Sequence, residues 1–142
     1  MTPHNWWSHE EVGHTDEAKK EMISLFRANG VFDTPKPERL IKRVLDLATE
    51  PGDLVVDSFL GSGTTAAVAH KMARRWIGVE VGEHAVSHCV PRLKKVLEGK
   101  DSAGITEAVG WKGGGGFRFY KLAPSLLEKD KWGNWVVSKQ YN

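Results

Sequence analysis

Apolar positions along the chain change period from helix to strand and back, and this alternation predicts an α/β protein. Between Thr15 and Phe26, the residues Ala18, Met22, Ile23 and Phe26 share one helical stripe, with Thr15 or Asp16 placed to cap it. Asn29-Gly30 breaks that run. Pro37 then opens a stronger helix at its first turn, where a missing N–H has no partner to lose. Behind it Leu40, Ile41, Val44, Leu45 and Ala48 repeat at helical spacing, with Lys42, Arg43 and Asp46 facing out. Pro51-Gly52 ends the helix and turns the chain into a strand, Leu54–Val56.

Thr64 begins a helix of small residues (Ala66, Ala67, Val68, Ala69, Ala73) suited to lying close against a sheet, and Trp76–Val81 follows as the next strand. Glu83–Glu98 reads as a further helix with Ala85, Val86, Cys89, Val90, Leu93, Val96 and Leu97 apolar. Pro91 inside it should kink or divide it, since an interior proline costs about 3 kcal/mol. Beyond Gly99 the pattern weakens. Gly113–Gly116 predicts a mobile loop, Phe117–Leu122 alternates like a strand, and Trp135–Val137 reads as another short one. Residues 1–15 carry no periodicity and are expected to be loop.

At 142 residues the chain is expected to form one domain, with 1–30 and 100–142 peripheral to its centre. Hydrophobic residues at 40% and charged ones at 27% are those expected of an ordinary soluble globular protein. No apolar stretch nears the roughly 18–20 residues that span a bilayer, and the first residues lack the regions of a signal peptide. Cys89 is the single cysteine, so no intrachain disulfide forms and a cytoplasmic setting without a membrane partner is expected. A net charge of +2 permits nucleic-acid binding without demanding it. Four of the six tryptophans (Trp6, Trp7, Trp132, Trp135) lie near the ends, where they either fold back or pack on something else.

The chemistry concentrates between Asp57 and Glu80. A strand ends in Asp57, a turn with Gly61 and Gly63 follows, a helix leads on, and a second strand ends in Glu80. That is the arrangement of a βαβ unit that holds a nucleoside cofactor. No Lys-Ser/Thr follows the glycines, so this is not a Walker loop. Ala66 at the third glycine position still allows NAD. Asp57 would repel a phosphate at the turn and suits a cationic or amide group, while Glu80 is placed to accept hydrogen bonds from ribose hydroxyls. S-adenosylmethionine has a ribose and a sulfonium and no phosphate. By spacing alone it stands beside another nucleotide, or a turn that merely packs helix on strand.

Three segments in order, Phe32-Asp-Thr-Pro-Lys-Pro-Glu-Arg-Leu-Ile41, Asp57-Ser-Phe-Leu-Gly-Ser-Gly-Thr-Thr65 and Gly78-Val-Glu80, resemble the amino-group DNA methyltransferases of restriction–modification systems. The match is to the circularly permuted (beta) class, whose cofactor motifs lie C-terminal. Gly113–Leu122 looks most like the modification subunits of type III systems, which methylate adenine. The resemblance implies a partial Rossmann-like S-adenosylmethionine-dependent methyltransferase fold with a mostly parallel sheet. It implies that Thr34 and Lys36 contact the methionine end of the cofactor, that Asp57 and Ser58 lie close by, and that Phe59 lies against it. Gly61, Ser62, Gly63, Thr64 and Thr65 would form the pocket wall, Glu80 would take the ribose hydroxyls, and Val81 would lie beside the adenine. DNA is the implied partner of the full-length enzyme, with a restriction subunit or a second copy as further ones.

The family's catalytic motif, an acid or amide followed by Pro-Pro and an aromatic, is absent, because the chain contains no Pro-Pro. The expectation is therefore the C-terminal, cofactor-binding part of a methyltransferase, without catalytic residues and in need of its N-terminal catalytic half. The alternative is a non-catalytic remnant or nucleotide-binding module. His84, His88 and Cys89 lie close on one helix but lack a fourth ligand and read as ordinary helix residues; the even spacing of His4, His9 and His14 matches no ligand geometry. No metal is expected. The basic clusters Lys71/Arg74/Arg75 and Arg92/Lys94/Lys95 read as solvated helix faces, Cys89 as core, and Trp6, Trp7 and Trp111 as packing residues.

Overall fold

The computed structural model describes residues 5–26 and 32–141. Two parallel strands, β1 (Leu54–Asp57) and β2 (Arg75–Gly78), pair in the register Leu54↔Arg75 to Asp57↔Gly78. The helix α4 (Thr64–Lys71) crosses between them. Preceding these are a single turn α1 (His9–Val12), α2 (Thr15–Phe26) and α3 (Glu38–Ala48); α5 (Val90–Leu97) follows. A hairpin of β3 (Leu127–Lys129) and β4 (Trp135–Val137) lies near the end of the chain. A mixed helix and strand architecture with a small parallel sheet is what the alternating periods predict.

The apolar patterns explain which faces are buried. Leu45 of α3, Val68, Ala69 and Met72 of α4 and its end, and Ile105 form the core, with Ile41, Val55, Trp76 and Val109 packed around it. The run of alanines keeps α4 close to the sheet, and Ala66 and Ala67 are fully buried there. The opposite face of the sheet is bare. Leu54 and Val56 of β1 and Ile77 of β2 point away from the core, Val56 being 61% exposed. Val44 of the predicted α3 stripe is exposed too, as is Leu47 outside it, so only part of that stripe is covered.

Several elements differ from the sequence reading. Residues 9–12, expected as loop, make one helical turn, with the Ser8 N–H donating to Glu11. The predicted Glu83–Glu98 helix divides at Pro91, as its ring requires: a wide π-type turn over Ala85–Cys89 leads into α5, where proline occupies the first turn. Ala73, assigned to α4, lies beyond it in a left-handed conformation at φ 59°. Phe117–Leu122 alternates but pairs with no strand among the described residues, because no neighbouring segment offers a ladder. The Gly113–Gly116 run is irregular yet held in place. The Gly114 N–H donates to the Leu97 carbonyl at 2.8 Å, and the Gly114 carbonyl lies 3.0 Å from His70 Nε2. Trp111 donates to the Val96 carbonyl, whereas Trp6, Trp132 and Trp135 are exposed. Asn29-Gly30 and His4 lie outside the described residues.

The largest departure concerns charge. Lys71 and Arg92, expected on solvated faces, are buried, because their charges are matched inside the protein. Lys71 Nζ lies 2.8 Å from Glu38 Oε2 and 2.6 Å from Asp101 Oδ2, and Arg92 Nη2 lies 2.8 Å from Glu38 Oε1. Glu38 also accepts the Ile105 N–H at 3.0 Å. Buried charges survive when paired and hydrogen-bonded in this way. Glu38, Lys71, Arg92 and Asp101 thus join α3, α4, α5 and the segment after α5.

Glu21 of α2 accepts the Glu38 N–H at 3.3 Å and sits at the rim of this network. Burial first, and the neighbouring Glu38 carboxylate second, push its carboxyl up to about 7 from an ordinary value of 4.5. A carboxyl raised on folding binds its proton more tightly in the native state. Its contribution is full below about pH 4.5 and is lost as pH rises through about 7. Glu21→Gln is expected to flatten the pH dependence of stability between these values by on the order of 2 kcal/mol. Urea unfolding of both proteins across that range measures the difference.

Candidate functional site

The site forms where β1 and β2 end. The Asp57 carboxylate accepts the Phe59 N–H at 3.0 Å, which folds the chain sharply off the strand. The Leu60 N–H then donates to the Val79 carbonyl at 3.0 Å, tying the turn to the end of β2. Glu80 braces it from the other side. One of its oxygens accepts the Gly61 N–H at 2.7 Å and the other the Gly82 N–H at 2.8 Å. Those bonds, Gly82's foremost, hold the Glu80 carboxyl below the usual range against the opposing effect of burial.

Both glycines of the turn are required by geometry. Gly63 caps α4 at φ +82°, and a Cβ there would come within 3.2 Å of Cys89 Cα. Gly61, at φ +57°, lies against the Phe32 ring. The approach of Phe32 brings the Phe32–Pro37 segment to the glycine turn, about 30 residues away in sequence. The Phe32 ring meets His84 edge-on, with centroids 5.0 Å apart. Phe32, Asp33, Thr34, His84 and His88 line an open cavity of about 280 Å³.

Each residue singled out in the sequence has a definite place. Asp57, Gly61 and Glu80 come together at the end of the sheet, and Thr34 lines the adjoining cavity. Ser58, Phe59, Lys36 and Val81 are exposed, Phe59 at 89%. Two apolar side chains standing in solvent at the ends of parallel strands have no part in the core. The Ser62 and Thr64 side chains turn inward, their hydroxyls 3.2 Å apart, so they offer a ligand main chain rather than hydroxyl. Thr65 is half-buried.

Cys89 is buried and donates its S–H to the Gly61 carbonyl at 3.1 Å. Burial first, and then the Glu80 charge, push its thiol up to about 11, far from a nucleophilic thiolate. His84 and His88 pack edge-on against each other. The part of the site that sequence reasoning missed is this aromatic wall of Phe32, His84 and His88. Phe32 heads a segment that carries the family resemblance, but for the two histidines the four-residue spacing was the signal, and that spacing alone suggests metal as readily as packing.

Residues 2–90 match a family described as DNA methylase, the N6/N4 class. Among curated relatives, the chain is 53% identical over 89 residues to a probable type III restriction-modification enzyme HindVI Mod subunit of Haemophilus influenzae, covering 63% of this chain and 12% of that protein. It is 40% identical over 78 residues to the type II methyltransferase M1.MboII of Moraxella bovis, covering 54% of this chain and 30% of that one. It is 48% identical over 62 residues to the type III restriction-modification enzyme StyLTI Mod subunit of Salmonella typhimurium, covering 44% and 9%. The chain therefore spans less than a third of the length of each of these relatives.

Proposed function

The chain belongs to the N6/N4 DNA methylase family, and we propose that it is the S-adenosylmethionine-holding part of a restriction–modification enzyme that methylates an exocyclic amino group in DNA, adenine rather than cytosine. The observation that carries this reading is the pair of acids, one ending β1 and one just past β2, around a glycine turn that lies against Phe32, two residues before the Thr34-Pro-Lys-Pro segment. In this reading the fold is the cofactor-binding portion of a Rossmann-like methyltransferase, formed as one unit from the whole chain. The donor set fits the cofactor. Two carboxylates and a lysine-free turn suit a ligand with a ribose and a positive centre and no phosphate. Each Glu80 oxygen accepts one backbone N–H, which leaves a lone pair on each for ribose hydroxyls. Exposed Phe59 and Val81 supply apolar surface for the cofactor's flat faces.

S-adenosylmethionine, when bound, supplies an electrophilic methyl group on its sulfonium. What this chain's residues contribute is placement: Asp57 and Lys36 toward the methionine end, Glu80 toward the ribose, and the turn's main chain as the wall between them. Transfer to an amino group needs alignment and no covalent enzyme intermediate. The residues that would hold the target base are not in this chain, which contains no Pro-Pro. The bare sheet face of Leu54, Val56 and Ile77 supports a partner here, since parallel sheets are covered on both faces. We assign that face to the catalytic half of the enzyme, with DNA, a restriction subunit or a second copy binding the whole.

The 142-residue chain alone, incubated with DNA and methyl-labelled S-adenosylmethionine, is expected to transfer no label. Robust turnover would contradict the division of roles proposed here.

A further inference from the structure

The buried ion network has a second connection that its role in packing does not need. Besides Glu38, the Arg92 guanidinium donates to Thr64 Oγ1 at 2.8 Å. Thr64 opens α4 directly after the glycine turn, one hydroxyl contact from Ser62. Glu38 directly follows the Thr34-Pro-Lys-Pro37 segment. One side chain, 1% exposed, therefore holds both segments of the proposed cofactor site from behind. Its residue lies 28 positions from Thr64 and 54 from Glu38, so the link is made only by the fold.

Apolar packing would join these helices at least as well, because burying ions in a core is often no more stabilising than replacing them with hydrophobic residues. A forked guanidinium adds direction. Its two terminal nitrogens fix two acceptors at a set separation, which an ammonium does not do. A cofactor gripped between two loops depends on that separation, and errors of about 1 Å are costly there. Lys71 shares Glu38 but takes Asp101, not Thr64, as its second partner.

We propose that Arg92 is a positioning residue that sets the spacing between the Thr34–Lys36 segment and the Gly61–Thr65 turn, and so tunes cofactor affinity without touching the cofactor. The proposal rests on the reading of this site as the S-adenosylmethionine site.

Two variants of the 142-residue chain test it. Arg92→Lys keeps a cation beside Glu38 but cannot span both acceptors. It is expected to weaken S-adenosylmethionine binding about 10-fold or more by calorimetry, while circular dichroism shows the chain folded. In the ligand-free chain, the amides of Leu60 to Thr65 should exchange with deuterium at least several-fold faster. Asp101→Asn disturbs the same network on the Lys71 side and contacts neither segment. It should lower the thermal midpoint yet leave affinity within about 2-fold and the turn's exchange unchanged. If Arg92→Lys does not fold, Thr64→Val cuts the same bond from the turn side with the ion pairs intact, and should show the same faster exchange and weaker binding. Unchanged affinity and exchange in the folded Arg92 variant, or equal losses in Asp101→Asn, overturn the proposal while leaving the cofactor reading intact. A wild-type chain that does not bind S-adenosylmethionine overturns both.

Discussion

Glu38→Ala is expected to destabilise the chain by about 3–5 kcal/mol, the largest effect of any single substitution considered. The change leaves Lys71 with Asp101 alone, takes from Arg92 its Glu38 ion pair, and strips the Ile105 N–H of its acceptor. An unpaired buried cation carries its full desolvation penalty, and so does a buried N–H without a partner. Lys71→Met should cost somewhat less, because Glu38 keeps Arg92, but it too is destabilising, since the buried Asp101 carboxylate loses its cation. Urea unfolding near neutral pH measures both. Acid should add to the contrast. Burial opposes ionisation of Glu38, but Arg92 and then Lys71 outweigh it and hold its carboxyl below the usual value. A carboxyl lowered on folding gives stability that is present above the unfolded value of about 4.5 and lost as pH falls below it. Glu38→Ala should lose that part of the acid dependence. A Glu38→Ala variant as stable as the unaltered chain would mean that the network is not held together through Glu38.

Glu80→Ala is expected to weaken S-adenosylmethionine binding by at least about 100-fold, or about 2.7 kcal/mol. Two losses combine at this residue. The ribose hydroxyls lose a charged acceptor, worth roughly 1.5–3 kcal/mol by itself. The turn loses its brace as well, since the Gly61 and Gly82 N–H groups both donate to this carboxylate. Little stability should be lost, because the two amides lie at the rim where water replaces the carboxylate. Glu80→Gln keeps the shape but offers an N–H₂ to one of the two backbone donors, and should fall between wild type and alanine. An alanine variant that binds as tightly as wild type would remove Glu80 from the site.

The centre of the fold was legible because it is written locally. Pro51-Gly52 marks the entry to β1, the glycine turn marks its exit, and the alanines of α4 announce a helix lying against a sheet. The segments Phe32–Ile41, Asp57–Thr65 and Gly78–Glu80 together carry the family resemblance, and the family match covers residues 2–90. What local pattern did not reveal was the fate of charge. Lys71 and Arg92 sit in basic clusters that look solvated, and their acceptor Glu38 lies 33 and 54 residues away. Only the packing of α3, α4 and α5 makes those pairs, so no spacing rule finds them. The same holds for the Gly113–Gly116 run, whose composition suggests mobility but whose main chain is fixed by Leu97 and His70. Phe117–Leu122 fails in the opposite way. Its alternation is real, but a strand also needs a neighbour, and none of the described residues provides one.

The central claim is that the acids and glycine turn between Asp57 and Glu80 hold S-adenosylmethionine. Calorimetric titration of the wild-type chain with S-adenosylmethionine, and separately with NAD, tests it most directly. Saturable, one-to-one heat with S-adenosylmethionine and none with NAD is the predicted result. No heat with S-adenosylmethionine would contradict the claim and favour a non-catalytic module, and binding of NAD in its place would point to nucleotide chemistry of another kind.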